Sequence, residues 1–387
     1  MATILIVDDD PVMQAFVEEL LLQEGYDVVL AGNGREALNF LEYGHCDLIL
    51  MDITMPELDG YQTTRRIKFE MQKDQFVPVV FLTAVDSDLE LAHCLECGGD
   101  DFVTKPPSPV ILKARIAAWL QRSEMANRLA RDREDVERVI LGMRQDKQFD
   151  SRGLRVLMTA VEKANGDIVL SARRLDGVQY LLVGDFTGHG LAAAICGPLV
   201  ADLFYRLTRR NLPLWRIIQK MNVTIIQRLP VNMFLACAFV ELDWQGGVVT
   251  IWNAGFPPVV QMRSGVVVRI FSSMLPPMGI SERLGDGNPG ERYHLLAGDR
   301  LYLFSDGCVE TRSEGGEEFG ERRLIRYLEE HSASGLVIST FDAALEAFRG
   351  GADAHDDVTM VEIVYAESPT EETGEVCPSR LLHPTRF

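Results

Sequence analysis

Thr3-Ile-Leu-Ile-Val-Asp-Asp-Asp-Pro11 is the stretch on which the reading of the first third of the chain turns. A short β-branched apolar run without polar alternation marks a strand buried on both faces of a parallel sheet. Three acids follow at once. Pro11 can then open a helix, because the N–H it lacks has no partner in a first helical turn. Residues 11–24 carry Val12, Phe16, Leu20 and Leu21 at helical spacing, with Asp10 placed as the cap. Similar apolar runs recur at 47–51 and 77–82 with helical periodicity between them, so α/β alternation extends to about residue 121.

In a parallel sheet the carboxyl ends of the strands line the ligand crevice. Asp8 and Asp9 follow the first run, Asp52 ends Leu48-Ile-Leu-Met, Thr83 closes Val79-Val-Phe-Leu, and Lys105-Pro106 follow Asp100-Asp-Phe-Val-Thr. All five functional positions are expected at one edge. Carboxylates placed together repel, and a divalent cation relieves the repulsion. One carboxylate can then act as nucleophile toward phosphorus, forming an acyl phosphate, while a lysine and a hydroxyl bind the phosphate oxygens.

These residues resemble the receiver domain of two-component response regulators. The match runs through Ile4-Leu-Ile-Val-Asp-Asp-Asp10, Met51-Asp-Ile-Thr-Met-Pro-Glu-Leu-Asp-Gly60, Phe81-Leu-Thr-Ala84 and Gly98-Gly-Asp-Asp-Phe-Val-Thr-Lys-Pro106. The resemblance implies a flavodoxin-like, doubly wound α/β sheet of five parallel strands over residues 1–121. It implies Asp52 as phospho-acceptor, and Mg²⁺ held by Asp8, Asp9, Asp52 and the Thr54 carbonyl. Thr83 and Lys105 are the implied switch residues, and Phe102 stands at the aromatic switch position. A sensor histidine kinase or phosphotransfer protein is the implied phosphodonor.

From 107 to 145 the pattern is helical. Leu112, Ile116, Leu120, Leu129, Val136, Ile140 and Met143 recur at three- to four-residue steps with gaps near 125. The segment 122–149 reads as a helical linker. It either packs on its own domain or pairs as a coiled coil with a second copy. The texture then changes. Strand-like segments lie at 179–184, 234–242, 248–253, 266–271, 300–304 and 358–365, with helical stretches at 190–208, 213–228 and 321–330. Runs of strands and runs of helices indicate an α+β domain over 150–366. The tail 367–387 has no apolar period and is expected to be disordered.

This second region repeats one device: an aspartate at a strand end beside glycine. It appears in Gly184-Asp-Phe-Thr-Gly-His-Gly190, Phe304-Ser-Asp-Gly307 and His355-Asp-Asp-Val-Thr359, with Asp167 after Asn165-Gly166. Glycine lets backbone approach a metal closely, and oxygen-only ligands suit Mg²⁺ or Mn²⁺. Two such ions could clamp a phosphate for in-line hydrolysis. Together with Leu229-Pro-Val-Asn-Met-Phe234, Trp252-Asn-Ala-Gly255, Pro277-Met-Gly-Ile280 and Ala297-Gly-Asp-Arg300, the set resembles the PP2C-type serine/threonine phosphatases of the SpoIIE/RsbU-like branch. That resemblance implies a sandwich of two antiparallel sheets flanked by helices. It also implies two Mn²⁺ or Mg²⁺ on Asp185, the Phe186 carbonyl, Asp306 and Asp357, with Asp167 peripheral. Gly188, His189, Gly190 and Gly307 shape the loops. The implied substrate is a STAS-type anti-sigma-factor antagonist. The receiver–phosphatase order is also similar to RssB-type adaptors, which deliver the stationary-phase sigma factor to ClpXP; there the phosphatase fold is a docking surface.

Composition sets the outer limits. The chain has 387 residues, 47% hydrophobic and 25% charged, enough for two or three domains. Asp and Glu number 57 against 38 Lys and Arg, for a formal net charge of −19. Residues 1–121 hold 21 acids and 8 bases, so the first domain is the acidic one. That balance argues against gripping nucleic-acid phosphates. No unbroken apolar run reaches the roughly 18 residues of a membrane span. Seven scattered cysteines suit a reducing compartment, so a cytoplasmic location is expected.

Overall fold

Continuous apolar runs in the first third become strands with no polar face. The computed structural model describes residues 1–71, 75–84, 88–143, 148–161, 165–188, 190–284, 290–366 and 380–381. Two units divide the chain, one over Met1–Glu134 and one running on from Asp135.

The first unit alternates β1 (Thr3–Val7), α1 (Pro11–Gln23), β2 (Asp27–Ala31), α2 (Gly34–Tyr43), β3 (Leu48–Asp52), α3 (Gly60–Arg66), β4 (Val79–Thr83), α4 (Asp88–Glu96), β5 (Asp101–Thr104) and α5 (Pro109–Met143). The strands form one parallel sheet in the order β2-β1-β3-β4-β5. Leu5, Val7, Ile49, Met51, Val79 and Phe81 enter the core on one face; Ile4, Ile6, Leu48, Leu50, Val80 and Leu82 enter the core on the other. Asp10 caps α1, accepting from the Val12 N–H at 2.9 Å. The buried stripe of α1 is Val17 and Leu21, whereas Val12 and Phe16 are exposed. This corrects the expected apolar face. Val17 and Leu21 lie one above the other at i, i+4, and Phe16 is about 100° round the helix from Val17 and about 140° from Leu21.

Helix α5 is 35 residues long. Leu112 and Ile116 are buried in the core of the first unit and Leu120 packs at its margin. Further along, α5 grips the chain that leads into β4. Asn127 accepts from the Phe76 N–H at 2.7 Å and donates to the Phe76 carbonyl at 3.0 Å, while the Ser123 hydroxyl donates to the same carbonyl at 2.7 Å. Beyond this clamp, Leu129, Val136 and Val139 are exposed, as is Met125 before them. Ile140 is buried again, against Ala194 and Leu191 of the second unit to which it belongs. The linker positions read from the sequence thus divide between buried and exposed faces.

The second unit contains β6 (Leu154–Ala160), β7 (Asp167–Arg173), β8 (Gln179–Phe186), α6 (Leu191–Ala194), α7 (Gly197–Arg209), α8 (Leu214–Arg228), β9 (Leu235–Asp243), β10 (Val248–Ala254), β11 (Val259–Arg263), β12 (Val266–Phe271), β13 (Glu291–His294), β14 (Arg300–Phe304), α9 (Gly307–Glu310), α10 (Gly320–His331), α11 (Val337–Arg349), β15 (Val358–Val364) and β16 (Arg380–Leu381). Two sheets, β13-β10-β9-β8-β7 and β12-β11-β14-β15-β6-β16, stack face to face. All pairings are antiparallel except that of β16 with β6. The inner core holds Leu181, Val183, Ala238, Val240, Leu301 and Val361. The outer faces are covered by α6–α8 on one side and α9–α11 on the other.

Residues 190–208, expected as one helix, break at Ile195–Cys196 into α6 and α7. Gly197-Pro198 starts a new helix with proline in its first turn. The stretch Leu191–Arg209 is apolar and long enough to cross a membrane by composition, but it carries this break and more than half of it is buried in the unit. Residues 367–379 and 382–387, where disorder is expected, lie outside the described residues. Arg380 and Leu381 are described, and they pair with Thr159 and Ala160.

Candidate functional site

The crevice of the first unit lies at the carboxyl ends of β1 and β3, which lead into α1 and α3. Asp8 follows β1 and Asp52 ends β3, and oxygens of Asp8, Asp9 and Asp52 all come within 4.8 Å of one another. Lys105, just past β5, reaches both buried acids: its Nζ lies 2.7 Å from Asp8 Oδ2 and 2.8 Å from Asp52 Oδ1. Asp52 Oδ1 also accepts from the Ile53 N–H at 2.9 Å. Burial raises the Asp52 carboxyl above its usual range, with the Asp8 charge adding to it and Lys105 opposing. Burial works against the Lys105 ammonium, but the bonds to Asp52 and Asp8 win and its pKa is raised. Three carboxylates against one ammonium leave net negative charge, and that donor set fits a divalent cation. Thr54 lies exposed on the loop after Asp52, and Thr83 is buried at the end of β4. Phe102 sits partly buried at the edge of the core, with the Arg115 guanidinium 5.9 Å from its ring centre. Gly60 is required: a Cβ there would overlap the Asp52 carbonyl oxygen.

The second cluster lies at strand ends of the sandwich. Asp167 opens β7 directly opposite Asp185 near the end of β8. Asp357, just before β15, is held by the backbone: Oδ1 accepts from the Val161 N–H at 2.9 Å and Oδ2 from the Gly166 N–H at 3.0 Å. Asp306 caps α9, accepting from the Gly307 N–H at 3.0 Å. A Cβ at Gly307 would overlap the Asp357 carbonyl oxygen, so glycine there permits the two loops to touch. Gly188 and Gly190 have φ of 86° and 73°, a left-handed backbone that turns the loop into α6. His189 lies outside the described residues.

Electrostatics bind these acids into one group. Burial and the charges of Asp306, Asp356 and Asp357 push Asp185 up to about 8. Burial and then Asp185 raise Asp167 well above its ordinary value. Asp167 Oδ2 is fully buried with no hydrogen-bond partner among the described residues. An orphaned buried carboxylate oxygen facing other carboxylates is the setting a divalent cation satisfies. Among the described residues, only Asp8, Asp9 and Asp52 gather three ligand atoms within 4.8 Å. Two acids join the second cluster that the ligand set drawn from the sequence omits. Asp356 is pushed to about 6 by burial and by Asp306, Asp357 and Glu310, and Glu310 is itself raised by burial and Asp306. The only sequence signals were adjacency to Asp357 and i, i+4 spacing from Asp306. Cys94 and Cys97 form no disulfide and are buried, with the Cys97 thiol on the Cys94 carbonyl, as packing residues would be.

Comparison with known proteins agrees with this division. The model of the response regulator receiver domain matches residues 4–117, and that of stage II sporulation protein E (SpoIIE) matches residues 176–365. The chain is 33% identical over 172 residues to a probable transcriptional regulator ycf27 of Cyanophora paradoxa, covering 43% of this chain and 70% of that one. It is 39% identical over 123 residues to the alkaline phosphatase synthesis transcriptional regulatory protein PhoP of Bacillus subtilis, covering 32% of this chain and 50% of that one. Apart from the ycf27 relative of Cyanophora, the chain spans about half the length of these curated relatives. The SiaA-PP2C domain of Pseudomonas aeruginosa shares the fold at a TM-score of 0.51 and 19% identity, over 60% of this chain and 96% of that one. The chain belongs to the response regulators, joining a receiver domain to a SpoIIE-type, PP2C-like phosphatase domain.

Proposed function

We propose that the chain is a cytoplasmic response regulator whose receiver governs metal-dependent hydrolysis of phosphoserine or phosphothreonine on a regulatory protein. A sensor histidine kinase or phosphotransfer protein supplies the phosphoryl group. An Asp52 carboxylate oxygen attacks phosphorus, a P–O bond forms, and the P–N bond to the donor histidine breaks. Asp8, Asp9, Asp52 and the Thr54 carbonyl would hold Mg²⁺, while Lys105 and Thr83 receive the phosphate oxygens.

In the second unit, Asp185, the Phe186 carbonyl, Asp306 and Asp357, with Asp167 behind them, would hold two Mn²⁺ or Mg²⁺. Those ions supply charge neutralisation and a water of lowered pKa. The chain's own part is to fix the carboxylates: Val161 and Gly166 N–H groups aim Asp357, and the β7–β8 register fixes Asp167 against Asp185. The observation that carries the reading is the clustering of buried acids: Asp167 lies in register with Asp185, and burial with the charges of Asp306, Asp356 and Asp357 pushes Asp185 up to about 8.

The proposed substrate is a STAS-type anti-sigma-factor antagonist. The exposed Met125, Leu129, Val136 and Val139 of α5 follow 4-, 7- and 3-residue steps, which suits pairing with a second copy through this helix. Ile140, against α6 just beyond the Gly188–Gly190 loop, is the proposed point where helix movement reaches the metal site. The test is Mn²⁺-dependent hydrolysis of p-nitrophenyl phosphate by wild type and Asp306→Asn. Turnover in wild type with a loss of at least about 100-fold in the variant supports the reading. No turnover in either shifts the assignment to an RssB-type adaptor for the stationary-phase sigma factor and ClpXP.

A further inference from the structure

We infer that Ser305 is a positioning residue for the metal site of the second unit: its hydroxyl fixes the junction that sets Asp306 against Asp357. The inference rests on the phosphatase reading above and names a residue outside the proposed ligand set.

Ser305 is buried just past the end of β14, one residue before Asp306. β14 and β15 run antiparallel, with Leu303 opposite Val361 and Phe304 opposite Met360. The next pair along is Ser305 and Thr359. A hydrogen-bonded pair in an antiparallel ladder exchanges two backbone bonds. Here one of them is made in that way: the Ser305 N–H donates to the Thr359 carbonyl at 2.9 Å. The return bond from the Thr359 N–H ends instead on Ser305 Oγ, also at 2.9 Å. The side chain has taken the place of its own carbonyl.

The displaced carbonyl is used elsewhere. It accepts from the Cys308 N–H at 3.1 Å, in the first turn of α9. Ser305 therefore closes the sheet with its hydroxyl and opens the helix with its carbonyl. Asp306 lies between the two. Its carbonyl accepts from the Val309 and Glu310 N–H groups, each at 2.8 Å, and its carboxylate accepts from the Gly307 N–H. The strand end before it and the turn after it together place that carboxylate.

The same hydroxyl reaches the other ligand loop. Ser305 Oγ lies 3.4 Å from the Asp357 carbonyl oxygen, and the Thr359 N–H that it holds is two residues past Asp357. Burial, then the Asp185 charge, raises the Asp167 carboxyl, and the Thr359 and Ser305 hydroxyls oppose that rise. One buried hydroxyl thus stands beside three aspartates of the cluster.

Without the hydroxyl, the Thr359 N–H loses its partner, and Thr359 is fully buried. An unmet buried donor is costly. The local repair is for the carbonyl of residue 305 to swing back into the ladder, which releases the Cys308 N–H and turns Asp306 away from Asp357. The sheet survives that repair and the ligand geometry does not. Groups that orient metal ligands govern metal affinity by roughly 10–100-fold.

The test is Mn²⁺ binding by titration calorimetry to the full-length chain carrying Asp8→Asn and Asp9→Asn, which silence the cation site of the first unit. In this parent, Ser305→Ala is expected to weaken Mn²⁺ binding about tenfold or more, and Ser305→Thr, which keeps the hydroxyl, to stay within about threefold. A purely structural role would lower the metal-free Tm of Ser305→Ala and leave the affinity of the folded chain as it was; that result overturns the inference. So does equal weakening by alanine and threonine. If Ser305→Ala does not fold, Ser305→Cys takes its place with the same expectation, because a thiol is a weak acceptor. Failure of the parent to bind Mn²⁺ defeats the phosphatase reading and this inference with it, whereas binding by the parent that Ser305→Ala matches defeats this inference alone.

Discussion

Asp185 shows what one residue costs the fold before a cation is bound. Its ordinary value of 3.8 rises to about 8 through burial and the neighbouring aspartates. Between these values the folded chain keeps a proton that the unfolded chain has released. The metal-free second unit therefore loses stability as pH rises through that window. Scanning calorimetry without metal is expected to show Tm falling from about pH 5 to about pH 8, and Mn²⁺ at pH 8 restoring it. A metal-free Tm that rises over that range contradicts the assignment of burial and like charge as the cause. Glu362 is the opposite case, a fully buried acid with partners: Arg300, the Tyr302 hydroxyl at 2.6 Å and Arg155 at 3.4 Å. Glu362→Ala strands those partners and is expected to cost about 3–5 kcal/mol, or about 10 °C in Tm. A shift under about 2 °C would mean the network is solvated in solution.

At the scale of elements, the clamp between α5 and Phe76 makes the first part of the linker helix a piece of the receiver. Asn127→Ala removes one acceptor and one donor at once. Hydrogen exchange over residues 121–134 is expected to speed up about five- to tenfold, with acetyl phosphate labelling of Asp52 unchanged. Unchanged exchange would show that helix propensity alone holds this segment. The elements most legible in the sequence are those buried on both faces. β3 and β4 carry no polar residue before their ends and β1 none after Thr3, and the functional side chain comes at the strand end, so Asp8, Asp52 and Thr83 could be placed by eye. β2, β5, β6, β7, β11, β13 and β16 were not marked as strands, and of these β6 and β11 lie inside their sheet. β2, β5, β7 and β13 are edge strands, and β2, β5 and β13 mix polar with apolar residues. Asp356 and Glu310 were missed for a different reason: an acid becomes part of a site only through neighbours that the fold brings, and one acid beside another is common in any acidic chain.

On the proposed reading the whole molecule joins two chemistries on one chain: a carboxylate that takes up a phosphoryl group, and an aspartate cluster that removes one. The fold class of the first half was readable from apolar runs alternating with helical periods, and that of the second from runs of strands and helices and its family motifs, whereas the division of α5 into buried and exposed faces emerged only from packing. On the proposed reading the state of Asp52 sets the rate at the second site. The most direct test is Mn²⁺-dependent hydrolysis of p-nitrophenyl phosphate by the full-length chain with and without beryllofluoride, in wild type and in Asp52→Asn. A severalfold change in the wild-type rate on adding beryllofluoride, absent in Asp52→Asn, is the predicted result. Equal wild-type rates in the two conditions would contradict the coupling.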